Sequence, residues 1–236
     1  MLHIGILGHS VPGSAHCFQE IARYGEERLG EHQHPDVTLD CIAMGRSMPA
    51  WHSGDRQAIR AILAESVARL ARAGCDFFVC PDNTAHLALD LPGPELELPT
   101  LHIAEVVAAE AAARGFRKVG IMGTTWTMTA DLYPRALAAH GIDTAVPTEA
   151  DQRDVQRITF DELVHGVFRD EARDRFVQVA SALGDAGCDA VALVCTEHPL
   201  LLTADVAPLP TLDSTSLLAR AAVEAALDPP AALRPG

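Results

Sequence analysis

Apolar residues follow two alternating rhythms along the chain. Short unbroken runs are followed by longer stretches in which they recur every three or four positions, the signature of buried strands alternating with amphipathic helices. Residues 3–8 (His-Ile-Gly-Ile-Leu-Gly) read as a strand, 9–14 as a polar loop, and the stretch from about Ala15 to Leu29 as a helix. A second strand is predicted at 37–42, then a long irregular loop from Met44 to Asp55 that carries Arg46, Pro49 and Trp51. Loops of that length in a compact domain are often functional. Residues 56–73 are predicted as a helix with Ile59, Ile62, Leu63, Val67 and Leu70 on one face. A strand at 76–80, an Asn-Thr loop, a short helix, a Pro-rich connection at 92–99 and residues 100–103 then lead into an Ala-rich helix at 104–114. His102 is expected to stabilise that last strand-to-helix turn. Near the end, 213–227 reads as a capped helix and the residues after it as frayed.

The pattern is written twice. Lys118-Val119-Gly120-Ile121-Met122-Gly123 repeats residues 3–8, and Gly120 stands 115 positions after Gly5. Ala-Gly-Cys-Asp-Phe-Phe-Val-Cys ends at Cys80, Ala-Gly-Cys-Asp-Ala-Val-Ala-Leu-Val-Cys ends at Cys195, and these two cysteines are again 115 apart. Leu98-Pro99-Thr100-Leu101 returns as Leu209-Pro210-Thr211-Leu212 at an offset of 111. The chain is therefore expected to be an α/β protein of two pseudo-symmetric lobes, each a short, mainly parallel sheet flanked by helices. The first lobe would comprise 1–104 with 211–236, including a helix returning to it, and the second 105–210. In such sheets ligands lie beyond the carboxyl ends of the strands, so an active site is expected in the cleft between the lobes, lined by the loops after Gly8, Cys80, Gly123 and Cys195.

Composition narrows the field. A net charge of −14 without a basic block argues against nucleic acid or an anionic membrane surface as partner. No apolar stretch approaches a membrane span, and no charged leader precedes the first strand, so a cytoplasmic location is expected. The six cysteines form no CxxC pair, which predicts reduced thiols, no zinc knuckle and no metal. Gly5 and Gly8 lack the spacing of a dinucleotide fingerprint. Cys17, Cys41, Cys75 and Cys188 are expected to be small buried hydrophobes.

Cys80 and Cys195 suggest chemistry. Two thiols in repeat-related positions suit a reaction that removes a proton from one face of a carbon and returns one to the other, with one sulfur as thiolate and its partner as thiol. Local dipoles are expected to lower the thiol pKa. A hydrogen on a carbon beside a carboxylate is weakly acidic, so preorganised donors are needed; Asn83, Thr84, Thr124, Thr125 and Thr196 could supply them with helix N-termini. His9 and Ser10, at the first strand's end, could contact substrate, and Glu197 could orient a cysteine or cap a helix.

Cys80 with Asn83-Thr84 and His86, His102-Ile103-Ala104, Gly120-Ile121-Met122-Gly123-Thr124 with Thr127-Met128, Tyr133, Asp161-Glu162-Leu163 with Gly166, Cys195-Thr196-Glu197 and Asp213-Ser214-Thr215 together resemble the aspartate/glutamate racemase family. The resemblance spans nearly the whole chain. It implies a cofactor-independent amino-acid racemase, a homodimer, with Cys80 and Cys195 as acid/base pair and the Asn-Thr and Thr loops on the α-carboxylate of a small amino acid or dicarboxylate, aspartate or glutamate among them. It also implies a basic residue in the early loop, for which Arg46 is the candidate, and a lysine where this chain has His165. The first motif reads Cys-Pro-Asp-Asn-Thr rather than Cys-Thr-Asn-Thr, and the second reads Cys-Thr-Glu-His-Pro-Leu-Leu, a blend of the family's Cys-Thr-Glu with the Cys-Thr-His-Tyr-Pro-Leu of the related glutamate racemases. Two other readings share these residues: a maleate isomerase or malonate decarboxylase of the same superfamily, and a binding module that closes on a carboxylate without turnover.

Overall fold

The structure, a computed structural model, describes residues 1–93 and 95–233. Pro94 of the Pro-rich connection and residues 234–236 of the tail lie outside the described residues. The chain forms two compact units: residues 1–103 with the chain from Thr215 onward, and residues 104–214.

In the first half the elements run β1 (Ile4–Gly8), α1 (Val11–Leu29), β2 (Val37–Cys41), α2 (Met48–Ser53), α3 (Arg56–Arg72), β3 (Phe77–Val79), α4 (His86–Leu89), β4 (Thr100–Leu101) and α5 (Ile103–Ala113). The second half continues with β5 (Lys118–Gly123), α6 (Thr125–Met128), α7 (Leu132–Ala138), β6 (Asp143–Ala145), α8 (Glu149–Asp161), α9 (Asp170–Asp185), β7 (Ala190–Val194), α10 (His198–Leu201) and β8 (Thr211–Asp213), and α11 (Ser214–Leu227) closes the chain. Each half builds one four-stranded, all-parallel sheet, ordered β2-β1-β3-β4 in one and β6-β5-β7-β8 in the other. The two orders are the same order. Because β8 pairs with β7, residues 211–213 belong to the second sheet, and the returning helix begins after them.

The central strands β1, β3 and β7 are buried at every position, as continuous apolar runs covered on both faces require. On α3, Ile59, Leu63, Val67 and Leu70 are buried at helical spacing, and Asp55 caps the helix by accepting the Ala58 N–H at 3.0 Å. Phe176, Val179, Ala180 and Leu183 do the same on α9, packing with Met122, Leu193 and Leu202. In the first unit α11 is tied down by Glu224, which accepts from Tyr24 Oη at 2.7 Å and Arg28 Nε at 2.6 Å.

Four expectations are corrected. Helix α1 starts at Val11, because Pro12 in its first turn needs no N–H partner there, so the polar loop shrinks to His9 and Ser10. The supposed irregular loop 44–55 folds as a 3-10 turn (Met44–Arg46) and then α2, ended by Gly54 in the left-handed region. The tail is not frayed where it is described: Ala231–Leu233 make a 3-10 turn and bury Leu233. Cys41 is exposed, since it ends β2, the edge strand. All six cysteines are free thiols.

The repeat also contains a difference in length. The bases of β3 and β7 are built alike: Gly74 and Gly187 take φ of 85° and 86°, and the Asp76 and Asp189 N–H groups donate to the carbonyls of His3 (2.9 Å) and Lys118 (2.8 Å). From these aspartates the chain reaches Cys80 in four residues but Cys195 in six. Two more residues of strand carry a side chain about 6.6 Å further along the same face, at about 3.3 Å per residue. The register agrees, for Val79 pairs with Ile6 whereas Val194 pairs with Gly123.

Gly123 marks the closest packing at a strand end. A Cβ there would meet Thr127 Oγ1 and lie 2.5 Å from Val194 Cγ2 and 3.1 Å from the Val194 carbonyl oxygen, whereas one on Gly184 of α9 would meet nothing closer than 3.4 Å. Gly123→Ala is expected to destabilise the protein by about 1–3 kcal/mol, and Gly184→Ala to stabilise it by about 0.5–1 kcal/mol through helix propensity. Denaturant unfolding of the two variants checks this; equal effects would contradict the packing described.

Candidate active site

In the first unit, β1 ends at Gly8 and delivers His9, while β3 ends at Val79 and delivers Cys80. Cys80 is fully buried, its Sγ 3.9 Å from the Asp82 carbonyl oxygen. The Asp82 carboxylate organises the loop. Its Oδ1 accepts the Thr84 N–H (2.9 Å) and the Ala85 N–H (3.2 Å), an Asx-type turn leading into α4, and its Oδ2 accepts from His9 Nδ1 at 2.7 Å. His9 Nε2 lies 2.6 Å from Ser47 Oγ, whose own hydrogen goes to the Met44 carbonyl at 3.0 Å. Ser47 therefore accepts from His9 while Asp82 accepts on the other side, so both ring nitrogens carry protons. His9 and Asp82 form a largely buried ion pair.

Titration behaviour agrees with that geometry. Burial opposes a charge on His9, but the hydrogen bond and charge of Asp82 prevail and raise its pKa. Burial likewise works against the Asp82 carboxylate, which His9 and the two backbone N–H groups nevertheless hold below its ordinary value. Cys80 behaves contrary to the expectation of a lowered thiol: burial pushes its pKa well up and the Asp82 charge adds to the rise. Asn83 is buried and Thr84 half-buried on the same loop.

In the second unit, β5 ends at Gly123 and β7 at Val194, delivering Thr124 and Cys195. Cys195 is partly exposed, consistent with its longer strand. Its Sγ–H points to Glu197 Oε2 at 3.1 Å, and Thr196 Oγ1 donates to the same oxygen at 2.8 Å. Thr124 is buried with its Oγ1 3.3 Å from that of Thr127, and the Thr125 N–H donates to Gln156 Oε1 at 2.8 Å.

The offset of 115 that relates the thiols also relates Asp82 to Glu197 and His9 to Thr124. Each cysteine thus has a carboxylate two residues on. In the first unit a histidine neutralises it; in the second a threonine stands at that position and the carboxylate accepts from the thiol. Asp82, Ser47 and Gln156 were not among the residues expected from sequence. The Cys-x-acid pattern shared by the two halves was the signal for Asp82; Ser47 and Gln156 reach their partners only through the fold.

The remaining expected residues make the following contacts. Arg46 donates to Glu65 Oε2 at 2.7 Å on an exposed surface, and His165 is exposed in the 3-10 turn after α8. Ser10 ends the loop before α1, where its carbonyl accepts from Ser14 Oγ at 2.5 Å. His198 is an anchor in the core: fully buried, bonded to Thr159 Oγ1 at 2.9 Å and edge-on to Phe176. His86, whose Nε2 donates to the Cys80 carbonyl at 3.0 Å, lies with Asp90 and His102 in a group of the composition that binds metals.

The sequence model of the Asp/Glu/Hydantoin racemase family matches residues 4–222. The chain belongs to this family. As a member of the Asp/Glu/Hydantoin racemase family it falls in the isomerase class, and its two parallel sheets are those of Asp/Glu racemase structures. It is 22% identical over 176 residues to the broad specificity amino-acid racemase RacX of Bacillus subtilis (strain 168), covering 72% of this chain and 73% of RacX. A Yersinia pestis protein assigned as an Asp/Glu racemase superposes with a TM-score of 0.87 at 29% identity, covering 97% of this chain and 100% of that one. An aspartate racemase homologue from Pyrococcus horikoshii OT3 gives 0.83 at 27%, with the same coverage. Among the described residues no helix is long and apolar enough to cross a membrane.

The buried histidines set the pH dependence of stability in this family member. Burial lowers His86 to about 4, helped by the nearby His102, and His198 to about 3. Below an unfolded value of about 6.5 the unfolded chain takes up protons that these native histidines refuse, so each costs up to about 1.4 kcal/mol per pH unit on acidification. His9 has the opposite sign: raised in the native state, it stabilises fully below about pH 6.5 and loses that contribution as pH climbs through its native pKa. His9→Asn, which leaves Asp82 without its partner, is expected to cost about 1–3 kcal/mol near pH 6 and progressively less toward pH 9. Denaturant unfolding of both proteins across that range measures it, and a penalty independent of pH would rule the ion pair out.

Proposed function

We propose that this chain is a cofactor-independent racemase acting at the Cα of an amino acid, aspartate or glutamate in the first instance, with Cys80 and Cys195 as the paired acid and base. The observation that carries the reading is the equivalent placement of the thiols: each follows the corresponding inner strand of its sheet and each has a carboxylate two residues beyond. The relatives support an amino-acid substrate, since RacX is described as a broad specificity amino-acid racemase.

In this mechanism Cys195 gives its proton to Glu197, and the resulting thiolate takes the hydrogen from Cα. Cys80, kept as a thiol by burial and by Asp82, then delivers its own proton to the opposite face of the carbanion. Turnover ends with a thiol at 195 and a thiolate at 80, and the charge on His9 offsets that of Asp82 beside it. The substrate of the reverse direction meets the sites in this second state and restores the first. Asn83, Thr84, Thr124, Thr125 and Thr196 supply the donors that stabilise charge developing on the α-carboxylate. Recognition of a distal carboxylate by Arg46 would require it to leave Glu65.

Single enantiomers of a panel of amino acids, incubated in D2O, should show Cα deuteration together with loss of optical rotation. Cys80→Ala and Cys195→Ala should each lower racemisation by about 10²–10⁴-fold, the range for a lost general acid or base. Glu197→Gln should lower kcat/KM in both directions equally, as an equilibrium constant of one demands, and move the rising limb of the pH profile to higher pH. Consumption of maleate or a substituted malonate in place of exchange would transfer the site to those reactions. Ligand-induced thermal stabilisation with no turnover of any of these compounds would leave only a binding module.

A further inference from the structure

The start of α4 and the turn between β4 and α5 carry a group of side chains that the proposed proton chemistry does not use. His86 and Asp90 stand four residues apart across α4, and His102 directly precedes α5. One ligand atom from each lies within 4.8 Å of the other two. His86 is 1% exposed, and its ring stands 4.5 Å from that of His102. Since His86 Nε2 donates to the Cys80 carbonyl at 3.0 Å, the lone pair of the neutral ring sits on Nδ1, and that buried nitrogen has no hydrogen-bond partner among the described residues. A buried acceptor left unpaired is costly and calls for an explanation. His102 Nε2 and Asp90 Oδ1 are 3.1 Å apart. Two ligands on one tetrahedral ion, with bonds of about 2.0–2.1 Å, are separated by about 3.3 Å.

We propose that His86 Nδ1, His102 and Asp90 form a binding site for a divalent transition-metal ion of the zinc type, with water completing the coordination. The ion would take the place of the proton between His102 and Asp90 and supply the partner that His86 Nδ1 lacks. The donor set is the two-histidine, one-carboxylate kind that suits zinc, whose structural and catalytic sites use these ligand types. The hydrogen bond from His86 to the Cys80 carbonyl is the outer-shell contact that fixes a ligating imidazole, so the ion would stiffen the loop that carries Cys80. Its role is architectural: it cross-links α4 to the β4–α5 turn. Sequence spacing gave no hint, because the third ligand is twelve residues beyond the second and no cysteine takes part. The site does not depend on the racemase mechanism.

The full-length protein, stripped with a chelator and titrated with zinc sulfate, should retain one equivalent through gel filtration and gain thermal stability. Asp90→Asn and His102→Ala change partly exposed side chains and leave buried His86 in place, so their folding can be checked by circular dichroism. Each should weaken zinc binding at least tenfold and abolish the thermal gain. Cys41→Ser and Cys195→Ala should bind as the parent does, and the cobalt-substituted protein should show tetrahedral d–d bands without a thiolate charge-transfer band. Failure of the parent to retain zinc, unchanged binding by Asp90→Asn and His102→Ala, or a thiolate band that disappears with a cysteine would each overturn the proposal.

Discussion

Asp76 and Asp189 fix the register on which the rest of each unit depends. Each donates its N–H to the carbonyl at the start of the neighbouring first strand, and each carboxylate accepts backbone N–H groups there: that of His3 at 2.7 Å, and those of Arg117 and Lys118 at 2.7 and 3.1 Å. Once the strand bases are pinned, parallel pairing carries that register to the opposite edge, and strand length alone decides how far a terminal residue reaches. Residues four and six positions from the same anchor then have different environments. Cys80 is enclosed beside the end of β1, and Cys195 emerges past Gly123.

The architecture was legible because its strands are buried on both faces. Runs such as Ile4–Gly8 and Ala190–Val194 stand out against helices whose apolar positions recur every three or four residues, and the doubled Gly-x-x-Gly and cysteine landmarks reveal the duplication. What escaped was short or depended on distant partners. Helix α2 contains Pro49, Trp51 and His52, a poor helical pattern, and it forms because Ser47, just ahead of it, is engaged by His9 and Gly54 can close it. Arg46 reads as a loop arginine available for a ligand until the fold brings Glu65 beside it, nineteen residues away in sequence. The unequal strand lengths were visible in the eight and ten residues of the two Ala-Gly-Cys-Asp segments. Aligning on the cysteines hides that difference, because the glycines and the thiols share one offset while the strand bases do not.

The same alignment explains how a duplicated half-site diverges chemically. Asp82 and Glu197 are repeat equivalents, and a carboxylate near a buried thiol favours the protonated sulfur by charge repulsion. Whether it can also take up the thiol's proton depends on what else it binds. Asp82 is saturated, with His9 on one oxygen and two backbone N–H groups on the other, and is thereby held ionised. Glu197 accepts from two neutral hydrogens, those of Cys195 and Thr196, on a single oxygen. The exchange of histidine for threonine at positions 9 and 124 separates a carboxylate paired with a histidine from one that accepts from its cysteine.

A racemisation imposes a constraint that this asymmetry must meet. The two enantiomers have equal free energy in water, so the forward and reverse values of kcat/KM are equal whatever the protein does. Asymmetry between thiols therefore cannot favour a product. Under the proposed two-thiol mechanism it can bias only the resting protonation state, and with it the enantiomer that the free protein is ready to accept. A buried thiol beside an ionised Asp82 and a partly exposed thiol bonded to Glu197 bias that state toward a protonated Cys80. A free protein that ends each turnover in the other state must then pass protons through Glu197 and solvent before it accepts the same enantiomer again. In that mechanism the greater exposure of Cys195, which follows from two additional residues of strand, would give the proton return its route to water.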